Sequence, residues 1–248
     1  EQINNNVNIN PDFNSISIST PEQHMKQKDW IMFSDLHVKA STIDVCEQVL
    51  SKVYQEATDR HAGVIFLGDF WHVRGALHVE LLNRVMKCFS NWKEDVPVIM
   101  IPGNHDQLSW GGSVHSLEPL KYAFKKNDQM LLISEPSVCL DALWLPYRRN
   151  QTALTDLLSL GQLLTAQGQI GAIFCHADIQ GASMNDNYSS KRGLDLSQFN
   201  FPQYVPLYSG HFHKPHSLLV KKKDTISFNL HYVGSPYQTS LAEAGQEK

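Results

Sequence analysis

Apolar residues along the chain follow two rhythms. Trp30-Ile31-Met32-Phe33, Val64-Ile65-Phe66-Leu67 and Val98-Ile99-Met100-Ile101 are short runs without polar alternation, and they read as strands buried on both faces. Between them, residues 42–60 place Ile43, Cys46, Val49, Leu50 and Val53 at helical spacing behind Ser41 as a cap; residues 77–92 repeat the pattern with Leu81, Leu82, Val85 and Phe89. Strand, helix, strand, helix, strand is the order of a parallel α/β sheet. Further along, the pattern predicts a helix near 116–125, short strands near 130–133, 137–140 and 143–145, a helix over 152–167 and a strand over 170–175. A hairpin of 217–221 with 226–233 follows.

Two stretches fall outside these rhythms. Residues 1–28, rich in Asn and Ser with little apolar periodicity, read as a disordered or loosely attached tail, which leaves 29–248 as the folded domain. Residues 177–206 are rich in Ser, Asn, Asp and Gly and too long for a plain connection, so they are expected to be functional or disordered. No internal repeat occurs, which argues against a solenoid.

Composition narrows the class. With 248 residues, 42% hydrophobic and 19% charged, the chain suits one large globular domain better than two. A formal charge of −4 neither advertises a nucleic-acid surface nor excludes a phosphate-bearing substrate, because two bound divalent cations would cancel it. Cys46, Cys88, Cys139 and Cys175 are widely spaced among apolar neighbours, as core thiols of a reducing compartment would be. The expected location is therefore intracellular, the nucleus or a DNA-containing organelle included. No apolar run reaches the length of a membrane span and the start lacks a secretory pattern. A first residue Glu1 in place of Met leaves room for a preceding segment, a targeting one included.

Metal-ligand residues follow the strands. They fall in five segments: Asp35-Leu36-His37, Gly68-Asp69, Gly103-Asn104-His105-Asp106, His176 and Gly210-His211-Phe212-His213. Ligands at the carboxyl ends of parallel strands converge where open α/β sheets build their sites. Any one of these histidines alone is more often a core or surface residue; jointly, behind strands and with matching Asp and Asn, they read as a metal site. Two Asp, one Asn and four His suit manganese, iron or zinc better than calcium, and the two oxygens of Asp69 can bridge a pair of ions. Two such ions about 3.5–4 Å apart acidify a shared water and clamp the attacking and leaving oxygens of a phosphoester. Beside Asn104, His105 is placed as general acid or as a cation against the phosphoryl group, and Asp106 is expected to orient it through the other ring nitrogen.

In this order the motifs resemble the calcineurin-like metallophosphoesterases, from about residue 29 to 235. The resemblance implies a four-layer α/β/β/α sandwich with two mixed sheets flanked by helices. It also implies one divalent ion on Asp35, His37, Asp69 and His213, and a second on Asp69, Asn104, His176 and His211. Within that superfamily, Asp69-Phe70-Trp71-His72, Gly210-His211-Phe212-His213-Lys214-Pro215 and Tyr232-Val233-Gly234-Ser235-Pro236 resemble the SbcD-type nuclease subunits of double-strand-break repair. That closer resemblance implies a manganese-dependent DNA exo- or endonuclease in which His72 contacts substrate phosphate. It further implies a homodimer through the helices after Asp69 and Asn104, and a coiled-coil ATPase partner whose docking segment is not in this chain. Against the protein phosphatase pattern, Arg74-Gly75 come one residue late and Asp106 replaces Glu. The alternatives are a phosphomonoesterase or protein phosphatase, a small-nucleotide phosphodiesterase, or a metal-poor scaffold, the last disfavoured by the complete ligand set.

Other candidates carry less. Arg148-Arg149 and Lys191-Arg192 are placed to meet a phosphate backbone, Trp71 and Trp110 either stack on bases or shape the pocket, and Lys221-Lys222-Lys223 reads as a solvated hairpin tip. His24, His61, His78, His115, His216 and His231 read as solvated or structural.

Overall fold

The structure, a computed structural model, describes residues 17–18, 29–126, 128–185, 188–222, 225–246 and 248. Its elements in chain order are strands β1 (Ser17–Ile18) and β2 (Trp30–Phe33), helix α1 (Ile43–Asp59), β3 (Gly63–Phe66), α2 (Val79–Ser90), β4 (Val98–Met100), β5 (Met130–Leu132), β6 (Ser137–Cys139) and β7 (Ala142–Leu145). Helix α3 (Gln151–Ala166), β8 (Ala172–His176), β9 (Leu207–Gly210), β10 (His216–Lys222) and β11 (Thr225–Tyr232) complete the order.

One sheet runs β2-β3-β4-β5 and every pairing in it is parallel; the other runs β1-β6-β7-β8-β9-β11-β10 and is mixed. The expected pair of mixed sheets is thus corrected to one parallel and one mixed. Crossovers through α1, α2 and the 3₁₀ turn Glu118–Ala123 return the chain to begin each strand of the smaller sheet in the same direction. Antiparallel pairs in the larger sheet come only from its two short connections, β6 to β7 and β10 to β11.

Alternation explains the uninterrupted apolar runs. Val64 and Phe66 face α1 and α2, while Ile65 and Leu67 face the second sheet; Val98 and Met100 divide from Ile99 and Ile101 in the same way. Three buried cores result, which is what four layers require: helices on the first sheet, sheet on sheet, and α3 with the loops after β8 on the second sheet. In the middle layer Trp144 stacks on Phe174 with centroids 4.3 Å apart. Each such fully buried large side chain contributes on the order of 1.5–3 kcal/mol relative to exposure.

Several expectations shift in detail. The helix near 116–125 is the 3₁₀ turn Glu118–Ala123 with a proline at its start, and the α1 cap position is Thr42, not Ser41, with no side-chain cap bond. Strand β9 was not foreseen, because Leu207-Tyr208-Ser209-Gly210 has little apolar character; it lies between β8 and β11 inside the sheet. The segment 177–206 is neither a free loop nor wholly polar: Ile179, Ala182, Leu194, Leu196, Phe199, Phe201 and Val205 are buried, and most join the α3 core. From the expected tail, Ser17 and Ile18 pair in parallel with Ser137 and Val138 of β6, and the remainder up to residue 28 lies outside the described residues, as do His24 and Lys223. All four cysteines are free thiols, three of them buried. Among the described residues no helix is long and apolar enough to cross a membrane.

Candidate metal centre

Loops at the carboxyl ends of β2, β3, β4, β8 and β9 meet at one point. The chain after β2 runs alongside the chain after β3, with Asp35 N–H donating to Gly68 O at 2.9 Å, His37 N–H to Asp69 O at 3.0 Å and Val38 N–H to Phe70 O at 2.8 Å. Asp35, His37, Asp69 and His211 all have left-handed backbones, at φ 53°, 48°, 61° and 98°. Such conformations cost non-glycine residues energy and persist where surrounding bonds impose them; here they turn consecutive ligands out of the strand direction into one pocket. Gly68 adopts φ 93°, and a Cβ there would lie 2.5 Å from His176 Nδ1 and 2.7 Å from the Gly103 backbone. The glycine before the ligand is therefore demanded by crowding as well as by conformation.

All seven sequence-derived ligands converge. Asp35, His37 and His213 form one group of donor atoms and Asp69, His176 and His211 another, each within 4.8 Å. In the first, His37 Nε2 lies 2.9 Å from His213 Nε2, and Asp35 Oδ1 lies 3.9 Å from each. In the second, Asn104 Oδ1 lies 3.0 Å from His176 Nε2 and 2.8 Å from His211 Nδ1. Asp69 stands between them, its Oδ2 3.8 Å from His37 Nε2 and 3.5 Å from His176 Nε2. Its Oδ1 accepts the His105 backbone N–H at 2.7 Å, which locks the carboxylate's rotation.

Donor chemistry tests the fit to divalent ions. The end of the Asn104 side chain faces His176, His211 and Asp69 Oδ2, the last 3.3 Å away. The amide faces all three in either rotation, so it is the position of the side chain, beside two ring nitrogens and a carboxylate oxygen, that brings Asn104 into the donor set. Donor separations of this size are the edges of a coordination shell with bonds of about 2.0–2.2 Å. The residues fit two ions sharing Asp69.

Ring tautomers are set from behind. His176 Nδ1 donates to Leu67 O at 2.7 Å, leaving Nε2 for the centre. His213 Nδ1 donates to Glu243 Oε1 at 2.9 Å, and Thr239 Oγ1 lies 2.8 Å from the same nitrogen. Burial holds His37 and His211 down to about 3, so both are neutral and have lone pairs at physiological pH. His176 moves the other way, up to about 9: burial lowers it, but the charge and hydrogen bond of Asp69 and the charge of Asp35 outweigh that. Burial raises Asp69, yet the His176 charge and bond prevail and keep it ionised.

His72 and His105 line the open side. Their rings stack with centroids 5.8 Å apart at 15°, and His105 lies edge-on to His37 at 4.8 Å. His105 Nδ1 donates to His72 O at 2.9 Å. Burial and the neighbouring charges of Lys39, His105 and His213 hold His72 below the usual histidine range. The expected contact between Asp106 and His105 is absent. Asp106 is wholly buried and accepts four backbone N–H groups instead, from Asp69 at 2.8 Å, Gly103 at 2.9 Å, Phe70 at 3.0 Å and Trp71 at 3.1 Å. Its role is to tie the loop after β3 to the loop after β4, and its carboxylate has no capacity left for a ring nitrogen.

Of the other candidates, Arg148 is buried in an ion pair with Glu135 at 2.6 Å and Trp71 is buried with its indole N–H on Ser116 O, so both are structural. His115 is likewise buried, 2.7 Å from Ser134 Oγ. Glu243, Thr239, Tyr147 and Arg74 were missed. Glu243 follows no strand and carries no motif, whereas Tyr147 directly follows an apolar strand, the same signal that marked the ligands.

Comparison with known proteins places this geometry in a family. The uncharacterized protein R555 of Acanthamoeba polyphaga mimivirus is 30% identical over 93 residues, which is 35% of this chain and 7% of that protein, so the chain spans a small part of that relative's length. The crystal structure of Pseudomonas putida nuclease MPE superposes with a TM-score of 0.42 at 13% identity, covering 88% of this chain and 78% of that one. The sequence pattern of the calcineurin-like phosphoesterases matches residues 31–215, about three quarters of the length and inclusive of every ligand above, and the chain belongs to that family.

Proposed function

We propose that the protein hydrolyses phosphodiester bonds of DNA with two divalent ions, manganese foremost, held by Asp35, His37, Asp69 and His213 and by Asp69, Asn104, His176 and His211. The observation that carries this reading is the position of Asp69 Oδ2, 3.8 Å from one histidine group and 3.5 Å from the other. One carboxylate oxygen between two ligand sets is what a shared bridging donor requires. When bound, the ions supply an acidified water and neutralise charge on the phosphoryl oxygens.

The chain's own groups do the rest. Asp106 and the Asp35–His211 contact, in which the His211 N–H donates to Oδ2 at 3.1 Å, hold the loops in register, so the ligands meet substrate without rearrangement. His105, with Nδ1 engaged on the His72 carbonyl, presents Nε2 as the position of a proton for the departing oxygen. His72, exposed at the mouth, contacts a non-bridging phosphate oxygen. The closeness of Asp69-Phe70-Trp71-His72 and Gly210-His211-Phe212-His213-Lys214-Pro215 to the repair nuclease pattern supports DNA as substrate. Digestion of end-labelled single-stranded, duplex and hairpin DNA with manganese, beside nitrophenyl mono- and diesters, tests it. Cleavage of the monoester with all three DNAs intact would assign a small substrate and overturn the reading.

A further inference from the structure

The mouth of the centre beside His176 and His211 carries groups the metal ligands do not use. Tyr147, at the end of β7, lies parallel to the His211 ring with centroids 6.4 Å apart and edge-on to His176 at 6.0 Å. Its backbone N–H donates to Pro102 O at 3.0 Å, and its carbonyl accepts from Gln107 Nε2, which pins the loop after β7 to the loop after β4. Two residues on, the Arg149 guanidinium sits over the Trp110 ring, 4.9 Å from its centroid, while Trp110 is 76% exposed. A guanidinium on one side of an indole that is otherwise bare holds the ring as a platform and leaves its other surface free.

Arg74 reaches the same corner from the loop after β3. Its Nη2 lies 3.2 Å from the position occupied by the Asn104 side-chain nitrogen. A guanidinium that close to a ligand side chain is placed to meet an oxygen of a phosphate seated beside the centre.

We propose that Arg74, Tyr147, Arg149 and Trp110 form a subsite for the nucleotide next to the scissile bond, with its phosphate between the two guanidiniums and an unpaired base stacked on Trp110. The inference rests on the nuclease reading and deepens it: the chain receives a single strand across the His211 side. Duplex DNA, whose bases are already stacked on one another, cannot use the Trp110 surface without unpairing.

The test compares Arg149→Ala, Trp110→Ala and Trp110→Phe with the wild type on a single-stranded oligonucleotide and on bis(nitrophenyl) phosphate, with bound metal measured alongside. The expected result is a fall of about tenfold in the ratio of the two kcat/KM values for each alanine variant, carried by the oligonucleotide KM, with metal content unchanged and Trp110→Phe near wild type. An unchanged ratio overturns the subsite, as does an equal loss on both substrates. A wild type that cleaves neither single-stranded nor duplex DNA removes the nuclease reading itself, and the subsite with it; a wild type that cleaves while the variants keep the ratio removes the subsite alone.

Discussion

Glu243 Oε1 accepts a hydrogen bond from His213 Nδ1 at 2.9 Å, joining a ligand after β9 to a 3₁₀ turn thirty residues further along the chain. Glu243 is 5% exposed, and its charge is anchored by the Thr239 N–H at 3.1 Å and Lys248 Nζ at 2.7 Å. Burial alone would raise its carboxyl, but those bonds outweigh burial and hold it down to about 2. The result is an ionised acceptor at any physiological pH, which fixes the His213 tautomer and makes its Nε2 a stronger donor.

Glu243→Ala is therefore expected to weaken one of the two bound ions by about 10–100-fold while leaving the other. Glu243→Gln, which still accepts from Nδ1 without the charge, should lose less. Competition against a chromogenic chelator reads both sites, and an unchanged two-site isotherm for the alanine variant would show that Glu243 only packs.

His176 gives the centre a pH dependence. Because its folded value is pushed up to about 9, the metal-free protein carries an extra proton on Nε2, Nδ1 being engaged by Leu67 O. A raised histidine contributes stability that is full below the ordinary value of about 6.5 and is lost as pH rises through about 9. Metal entering at Nε2 must displace that proton, so affinity should climb steadily with pH below about 9 and level off above it. Calorimetry at pH 7 in buffers of different ionisation enthalpy should show release of about one proton; a heat that is independent of buffer would contradict this.

Asp35, His37, Asp69, Asn104 and His176 were legible because each follows an apolar run at a strand end, whereas His211 and His213 were legible through the Gly210-His211-Phe212-His213 motif alone. The apolar runs without alternation made the buried parallel strands legible, while the four-layer sandwich itself came only with the family resemblance. What escaped was long-range. Glu243 meets His213 through a turn with no periodicity, and β9 is a strand made by its neighbours, since Leu207-Tyr208-Ser209-Gly210 has little propensity of its own. Asp106 was assigned to the adjacent imidazole on proximity in sequence, yet four backbone N–H groups compete for its oxygens and satisfy them. Sequence adjacency could not reveal donors supplied by residues 69–71.

Metal removal should be visible in stability. The centre gathers Asp35 and Asp69, at 0% and 2% exposure, with lone pairs of Asn104 and four histidines aimed inward, an arrangement that an ion binding only the folded state stabilises. At free metal 100-fold above its dissociation constant the gain is about 2.7 kcal/mol per site, or roughly 5–10 °C in Tm for a chain of this size. Thermal unfolding with manganese against a chelator checks it, and Asp69→Ala, which removes the shared donor, should abolish most of the shift. A shift that survives in that variant would point to ions bound elsewhere.

Asp106 tests the scaffold separately from the chemistry. In Asp106→Asn one carboxylate oxygen becomes an NH2 group facing two backbone donors, either Asp69 and Gly103 or Phe70 and Trp71. Each buried donor left without an acceptor costs about 1–3 kcal/mol, so the substitution should destabilise the fold by about 2–5 kcal/mol. Urea unfolding with chelator present isolates this from metal binding, since no ion then contributes to either protein. Because Asp69 N–H is one of the donors, metal affinity should fall as well, through displacement of a ligand backbone by a residue that is not a ligand. A loss below about 1 kcal/mol would mean the loops after β3 and β4 keep their register by packing alone, and Asp106 would have to be returned to a role nearer the reacting phosphate.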